Sequence, residues 1–203
     1  MGKQFQCELI SWKEVYRLSA LLAHQIKEAG CRADLVIAIA RGGYVPARLV
    51  CDFLGIYNLT SIRISHYTAG SSKEETARLS SPLCMDIQGL NVLLVDDLTD
   101  TGDSIEVALQ HIREFKPAEI KVATLHHKKQ SRLQPDFYAK KLVKWRWLIY
   151  PWAVVEDMGG FLQTMPELPT TIESTRKRLQ AEYGVTIPLR TLSQVFKMIE
   201  KKR

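Results

Sequence analysis

The stretch VLLVDDLTDTGDS, from Val92 to Ser104, decides the fold class of this chain. It opens on an uninterrupted apolar run, which predicts a strand buried on both faces of a sheet. Two adjacent acids follow, and a turn rich in threonine, glycine and serine then leads into a helical pattern from Ser104 to Phe115. The stretch therefore predicts a strand, a polar turn and a helix, which is the repeating unit of an α/β protein.

The polar turn has the composition of a phosphate site. Backbone N–H groups at the start of a helix, together with threonine and serine hydroxyls, form a socket for a phosphate monoester, and Gly102 lets a ligand approach closely. Asp96 and Asp97 repel a phosphate, so we expect them to contact sugar hydroxyls or the hydration shell of a divalent cation. The alternative is that Asp97 or Asp100 only caps the helix while Asp96 is a solvated turn residue.

A second strand and turn of this kind lie upstream. Leu35 to Ala40, LVIAIA, is a continuous apolar run, and the sequence after it indicates a glycine turn that opens a helix ending at Gly55. The backbone amides of Gly42 and Gly43, with the cation of Arg41, suit an anionic group of a ligand. A tight turn with a surface arginine is the alternative.

The surrounding sequence predicts a parallel sheet flanked by helices. We expect a helix over Trp12 to Ala29 and strands over Thr60 to Ile64 and Ile120 to Leu125. Ligand sites in such folds lie at the carboxyl ends of the strands, where both glycine turns fall. The segment from His66 to Pro82 is polar and has no core period, which predicts a mobile active-site loop.

The two turns resemble those of the type I phosphoribosyltransferase family, in which a strand is followed by two acids, two further residues, Asp-Thr-Gly and, one residue on, Ser or Thr. The resemblance implies that phosphoribosyl pyrophosphate (PRPP) is a substrate and that Mg²⁺ is a cofactor, held by Asp96 and Asp97 mostly through PRPP and water. It also implies catalytic roles for Asp100, as general acid/base, and for Arg41. The residues implied in PRPP binding are Asp96, Asp97, Leu98, Thr99, Asp100, Thr101, Gly102, Asp103, Ser104, Arg41, Gly42 and Gly43.

Two further positions matter in this comparison. Asp103 stands where many relatives have Gly or Lys, and its negative charge beside a phosphate is unfavourable unless the side chain points to solvent. In the predicted loop, relatives use a basic residue to cover the reaction. The resemblance gives that catalytic role to Lys73, with Arg78 as the second option.

The second substrate is indicated by WRWLIYPWAVVED, residues 145–157. This stretch resembles the bacterial xanthine-guanine phosphoribosyltransferases, and aromatic faces stack on flat bases. The resemblance implies that a purine lies against Trp147 and Leu148. It also implies a lysine at the purine 6-oxygen, which is Lys128 or, with a shift of one residue, Lys129. His126 and His127 precede these lysines, and we expect core or strand-end histidines because adjacent strand residues point to opposite faces.

Composition narrows the class of protein. The chain has 203 residues and a formal net charge of +6, with much of the excess in residues 128–146 and 176–203. The four cysteines are scattered and the N-terminus resembles neither a secretory signal nor a membrane anchor, so we expect a cytoplasmic protein with reduced thiols and no membrane span. A basic tail is usually a solvated helix face, so we do not expect nucleic-acid binding.

The predicted organisation is a phosphoribosyltransferase domain over residues 1–160 and a helical extension over 161–203. From Thr170 onward the pattern indicates two short helices separated by Gly184 and Pro188. The extension is interpreted as a small lid or a dimer contact, with nucleic-acid binding as the alternative. We expect a homo-oligomer, namely a dimer.

The predicted activity is purine salvage, in which the 5-phosphoribosyl group of PRPP is transferred to guanine, xanthine or hypoxanthine and pyrophosphate is released. One alternative is a PRPP-sensing regulator of the same fold. Another is a phosphoribosyltransferase for a different base, because Ala153 stands where the enteric-type enzymes have an acid. Lys128 and Trp147 favour the purine enzyme, since a sensor needs no base pocket.

Overall fold

The structure is a computed structural model that describes residues 5–68, 75–167, 169 and 171–200. The chain divides into two compact units. Unit 1 comprises residues 1–14 and 145–203, and unit 2 comprises residues 15–144. This division differs from the domain boundary at residue 160 that the sequence suggests, and that boundary stays a prediction.

Helices and strands alternate along most of the chain. In chain order the elements are β1 (Cys7–Leu9), α1 (Trp12–Glu28), β2 (Leu35–Ala40), α2 (Tyr44–Leu54), β3 (Leu59–Thr68), β4 (Glu75–Ser81), β5 (Asn91–Thr99), α3 (Asp103–Arg113), β6 (Glu119–Lys128), β7 (Phe137–Leu142), β8 (Trp147–Ile149), α4 (Val154–Gln163), α5 (Ile172–Tyr183) and α6 (Leu189–Glu200).

Unit 2 is built on a six-stranded sheet with the strand order β4-β3-β2-β5-β6-β7. Strands β3, β2, β5, β6 and β7 run parallel, and only β4 is antiparallel to its neighbour. All six residues of β2 are buried, as is the apolar run of β5. These strands are apolar on both faces because helices flank the sheet. The structure confirms the predicted α/β class with a mostly parallel sheet.

The helix ends follow local sequence signals. The Ser11 side-chain oxygen accepts the Glu14 N–H at 3.1 Å and caps α1. Gly55 ends α2 with a φ of 69°, a left-handed conformation that glycine adopts without steric cost. Both predicted helices are therefore confirmed to within a residue or two.

The predicted mobile loop from His66 to Pro82 is wrong over its described residues. β3 continues to Thr68, and β4 pairs with it antiparallel from Glu75. Ala77 on β4 is buried and Leu79 packs against the core, whereas the residues between and beside them are exposed. This two-residue alternation is hidden in the sequence by the polar residues around it. Lys73 lies outside the described residues.

In its described residues, unit 1 combines a two-stranded sheet with the helices α4, α5 and α6. β1 pairs in parallel with β8, so that Cys7 lies beside Trp147 and Leu9 beside Ile149. Its core is a separate apolar cluster that includes Ile149 and residues of α4, α5 and α6. The tail contains the two predicted helices, α5 and α6. No helix in the described part of the chain is long and apolar enough to cross a membrane.

Candidate active site

A cavity of about 270 Å³ opens in unit 2 at the carboxyl ends of β2, β3 and β5. Every residue from Asp96 to Ser104 lines it, together with Gly42 and His66. The parallel order of the strands explains this meeting, because the ends of adjacent parallel strands lie at the same edge of the sheet. The predicted PRPP turn thus forms the wall of a cavity.

Residues 100–104, called the phosphate loop below, connect β5 to α3. Gly102 has a φ of 102°, and a Cβ at this position would lie 2.7 Å from the Leu133 Cβ. Ser104 Oγ is hydrogen bonded to His66 Nε2 at 2.9 Å. Because the N–H groups at the start of α3 face this loop, it has the features of an anion site.

The side chain of Thr99 is not part of the anion site at residues 100–104. Thr99 is buried, and its hydroxyl donates to the Thr124 hydroxyl at 3.2 Å on the neighbouring strand. The hydroxyl is therefore engaged within the sheet. A role of Thr99 in ligand binding then falls to its backbone.

The two acids after the strand occupy different environments. Asp96 is only 8% exposed, and burial, followed by the nearby Asp97 carboxylate, raises its pKa well above the usual value. Its Oδ1 accepts the Asp97 backbone N–H at 2.9 Å, which opposes that rise. A buried carboxylate beside a second one is stabilised in its charged form by a cation, so the pair suits a divalent metal.

The turn at 41–43 packs directly against this acidic pair. A Cβ on Gly42 would lie 2.5 Å from Asp97 Oδ2, and a Cβ on Gly43 would lie 2.5 Å from the Val95 carbonyl oxygen. Both positions therefore require glycine. The peptide bond between Ala40 and Arg41 is cis. The structure brings together the two turns that the sequence singled out.

Lys128 and Asp100 form an ion pair in unit 2. Lys128 is the last residue of β6 and is 1% exposed, whereas its neighbour Lys129 is exposed. Lys128 Nζ donates to Asp100 Oδ2 at 2.5 Å. Buried lysines are normally paired with an acid, and this pair places an ammonium beside the predicted general acid/base.

The two histidines before Lys128 are buried on β6. The His127 ring lies 5.0 Å from the Tyr138 ring, and burial lowers the pKa of His127. Their surroundings fit the expectation of core histidines.

The Asp103 carboxylate is paired within the protein instead of being left to solvent. Arg132 Nη2 donates to Asp103 Oδ1 at 2.8 Å, and Thr101 Oγ1 donates to Asp103 Oδ2 at 2.9 Å. Sequence reasoning missed Arg132, which belongs to no motif. The only signal was indirect, because Asp103 is a negative charge in a turn predicted to bind an anion, and a nearby cation offsets such a charge.

The residues predicted to bind the base begin β8 in unit 1. Trp147 is 39% exposed, and its ring contacts those of Phe5 and Phe161 at centroid distances of 5.9 and 6.0 Å. Leu148 is buried. The Trp147 side chain is hydrogen bonded to the Asp157 carboxylate, whose pKa burial raises to about 6 despite that bond. Trp147 therefore has a fixed ring with an exposed portion.

The other tryptophans of this stretch make different contacts. The Trp145 ring meets Phe5 edge-on at 5.9 Å and remains 45% exposed. The Trp152 ring stacks on Tyr150 at 4.8 Å and also contacts Trp12. These ring contacts support a packing role for Trp152.

Comparison with known proteins assigns the chain to the same family that its two turns resemble. Residues 8–157 match the family profile described as "Phosphoribosyl transferase domain". A curated relative, the xanthine-guanine phosphoribosyltransferase of Ruegeria sp. (strain TM1040), is 33% identical over 154 residues, which cover 70% of this chain and 83% of the relative.

Two solved structures extend the comparison. The purine phosphoribosyltransferase from Pyrococcus horikoshii Ot3 has a TM-score of 0.65 and 30% identity, covering 72% of this chain and 93% of its own. A hypothetical protein from Neisseria gonorrhoeae with bound ppGpp has a TM-score of 0.66 and 21% identity, covering 98% of this chain and 99% of its own. The latter likeness concerns the fold alone, and it includes the C-terminal helices.

Proposed function

The chain belongs to the phosphoribosyltransferase family, and we propose that it transfers the 5-phosphoribosyl group of PRPP to a 6-oxopurine base and releases pyrophosphate. The observation that carries this proposal is the cavity of unit 2, where the residues from Asp96 to Ser104 meet the glycine turn at 42–43. The names of the curated relatives support a purine as the second substrate.

In this proposal the phosphate loop holds the 5-phosphate of PRPP. The N–H groups at the start of α3 and the hydroxyl of Ser104 supply donors for a phosphate monoester, and Thr101 and Gly102 line the same cavity. Asp96 and Asp97 accept hydrogen bonds from the ribose hydroxyls. Leu98, Thr99 and the remaining residues of the turn contribute through the backbone.

Asp96 and Asp97 would also hold Mg²⁺, mostly through PRPP and water. Two adjacent carboxylates with a raised pKa at one of them fit a cation that prefers oxygen ligands and retains several waters. When bound, Mg²⁺ neutralises charge on the pyrophosphate group. Arg41 and the amide of Gly42 bind the departing pyrophosphate from the protein side. The predicted contribution of the Gly43 amide is not supported, because its N–H already donates to the Ile39 carbonyl at 2.9 Å.

Asp100 is the proposed general acid/base. A purine loses a ring N–H proton when the new glycosidic bond forms, and Asp100 accepts it. Lys128 donates to the purine 6-oxygen, because an ammonium carries three N–H donors and a bond to Asp100 does not exclude one to the base. The exposed Lys129 lacks a comparable position. Both roles are proposals that rest on the Asp100–Lys128 pair.

Trp147 and Leu148 are the proposed contacts to the purine ring. Stacking on an aromatic face contributes about 1 to 3 kcal/mol per base in nucleic-acid sites. The exposed part of Trp147 provides such a face, and its contacts with Phe5 and Phe161 hold the ring in one orientation. Leu148 is buried, which leaves its backbone groups as the polar contacts to the base.

Transfer passes through an oxocarbenium-like sugar, so excluding water limits hydrolysis of PRPP. We propose that residues between β3 and β4 cover the reaction, with Lys73 as the basic residue. Arg78 is the second option and lies exposed on β4.

We further propose that the chain works in the cytoplasm as a homodimer. Its four cysteines form no disulfide, and Cys7 and Cys51 are buried thiols, which fits a reducing compartment. Light scattering on the purified full chain tests the dimer.

The activity is tested by incubating the full chain with PRPP, Mg²⁺ and one base at a time, namely guanine, xanthine, hypoxanthine or adenine. Nucleoside monophosphate is separated and quantified by chromatography. We expect product with at least one of the 6-oxopurines and much less with adenine. Retained PRPP binding with no product from any base would overturn the proposal and favour a PRPP sensor.

A further inference from the structure

The turn after β6, residues 129–133, is joined to the phosphate loop by backbone as well as side-chain bonds. The Arg132 N–H donates to the Thr101 carbonyl at 3.1 Å. The turn is itself closed by the Ser131 N–H, which donates to the Lys128 carbonyl at the end of β6 at 3.0 Å. Leu133 packs beside Gly102, where a Cβ would clash with it. This turn therefore has a fixed position against the loop, independently of the Arg132 side chain.

Both carboxylate oxygens of Asp103 are occupied by donors of this local structure. Arg132 Nη2 contacts Oδ1 at 2.8 Å and the Thr101 hydroxyl contacts Oδ2 at 2.9 Å. Asp103 begins α3 and lines the cavity, which makes it a negative charge in a site for an anion. An uncompensated carboxylate there opposes the binding of a phosphate.

We propose that Arg132 is a positioning residue for PRPP, because its guanidinium neutralises Asp103 and the phosphate loop then presents an ion pair to the 5-phosphate in place of a bare anion. The inference rests on the proposed function, since it takes residues 100–104 as the 5-phosphate site. Arg132 acts through Asp103 and does not itself touch the ligand.

If the Arg132–Asp103 pair only stabilised the fold, Arg132→Ala would lower the melting temperature and leave PRPP affinity unchanged. The Arg132 side chain is 80% exposed, and exposed ion pairs contribute little to folding stability. We therefore expect Arg132→Ala to shift the melting temperature by less than about 2 °C. The effect of the variant should appear in PRPP affinity instead.

The test is a double-mutant cycle measured by calorimetry with PRPP and Mg²⁺ and no purine base. Arg132→Ala leaves Asp103 uncompensated, and we expect the Kd for PRPP to rise about tenfold. Asp103→Asn removes the charge and is expected to change Kd by less than about threefold. The double variant should bind as Asp103→Asn does, and Arg132→Lys should recover most of the wild-type affinity.

A matched control is the pair of Arg48 and Asp52 on α2. These side chains are 65% and 66% exposed and lie 3.5 Å apart, so Arg48→Ala removes the same charge from an exposed Arg–Asp pair outside the cavity. We expect its Kd for PRPP to match that of the wild type. An equal loss in Arg48→Ala would mean that only net charge matters, and would overturn the inference.

Two other outcomes also overturn it. An unchanged Kd in Arg132→Ala shows that Asp103 needs no compensation. An equal loss in Arg132→Ala and in the double variant shows that the guanidinium binds the phosphate itself. The proposed function fails separately if the variants show the expected changes in PRPP affinity but the wild type forms no nucleotide with any base. Absence of PRPP binding by the wild type would overturn both.

Discussion

Lys128 Nζ lies 2.5 Å from Asp100 Oδ2, across the ends of two neighbouring strands. β5 and β6 are parallel, with Thr99 opposite His127. Asp100, which directly follows β5, and Lys128, the last residue of β6, therefore fall at the same edge of the sheet. One side chain of this pair is the proposed proton acceptor and the other is the proposed partner of the base. The register of β5 and β6 therefore brings the two side chains close enough to form an ion pair.

Replacing Lys128 with Met tests its role in base recognition. The substitution keeps an unbranched chain and removes the charge, so a hydrogen bond from a charged group to the purine 6-oxygen is lost. Such bonds contribute about 1.5 to 3 kcal/mol, which predicts a rise in KM for the 6-oxopurine of about tenfold to a hundredfold. Steady-state kinetics with varied base measure it, and calorimetry should show unchanged PRPP affinity.

The control is Lys129→Met, which alters the neighbouring lysine, an exposed residue. We expect kinetics close to those of the wild type. If Lys129→Met raises KM for the base and Lys128→Met does not, the assignment of the lysine is wrong by one residue.

Gly42→Ala tests the close approach of the two turns. The added methyl would lie 2.5 Å from Asp97 Oδ2, so the turn or the carboxylate must move. We expect PRPP affinity to fall at least about tenfold, and overpacking to destabilise the fold by about 1 to 3 kcal/mol. Calorimetry measures the affinity, and urea unfolding measures the stability.

Gly159→Ala is the matched control for that change. Gly159 lies within α4 with nothing closer than 4 Å to its added Cβ. Alanine in a helix interior is favoured over glycine by about 0.5 to 1 kcal/mol, so this variant should be slightly more stable. Wild-type PRPP affinity in Gly42→Ala would contradict the packing of the turn on Asp97.

Asp157 makes the stability of the chain depend on pH. Burial raises its pKa from 3.8 to about 6 in the folded state, while the Trp147 hydrogen bond lowers it and the neighbouring Glu156 raises it. The folded chain therefore binds this proton more tightly than the unfolded chain. The contribution to stability is complete below pH 3.8 and is lost as the pH rises through about 6.

Asp157→Asn removes this titration and keeps an oxygen that accepts the Trp147 bond. We expect the variant and the wild type to unfold at equal urea concentration near pH 3.5, and the variant to be the more stable above pH 7. Cys7 also faces Asp157, but its pKa of about 12 keeps the thiol neutral in this range. A difference in stability that is constant from pH 3.5 to 8 would contradict the raised pKa.

Thr171→Ala probes the C-terminal helices. Thr171 caps α5 through a capping box, in which its hydroxyl accepts the Ser174 N–H at 3.1 Å. Losing this cap should lower the free energy of unfolding by about 1 kcal/mol. Gln194→Ala, at an exposed position within α6, is the control and should be neutral. Equal unfolding curves for the wild type and Thr171→Ala would argue against the cap.

The local signals of the sequence predict the centre of the sheet and the phosphate loop well. β2 and β5 are buried on both faces, so their apolar runs are unbroken, and glycine marks the turn after β2 and the end of α2. The family signature needs only adjacent residues. These features depend on short stretches of chain, which explains their visibility in one sequence.

The missed features depend on residues far apart in the chain. β1 has three residues and becomes a strand only because β8 lies beside it. β7 is a partly buried strand that contains two adjacent lysines, Lys140 and Lys141, so no apolar run marks it. The Arg132–Asp103 pair joins residues that the sequence separates by a helix and a strand. In each case the feature is recognisable only once the strand or residue that it contacts is known.

The pairing of β1 with β8 also bears on how the chain is made. Residues 15–144 form one continuous stretch, whereas unit 1 joins residues 1–14 to residues 145–203. During synthesis on the ribosome, the segment Cys7–Leu9 emerges before Trp147–Ile149 and has no partner strand until that segment follows. Domains fold as units while the chain is elongated. We therefore expect unit 2 to fold first, and β1 to be among the last elements to reach its final place.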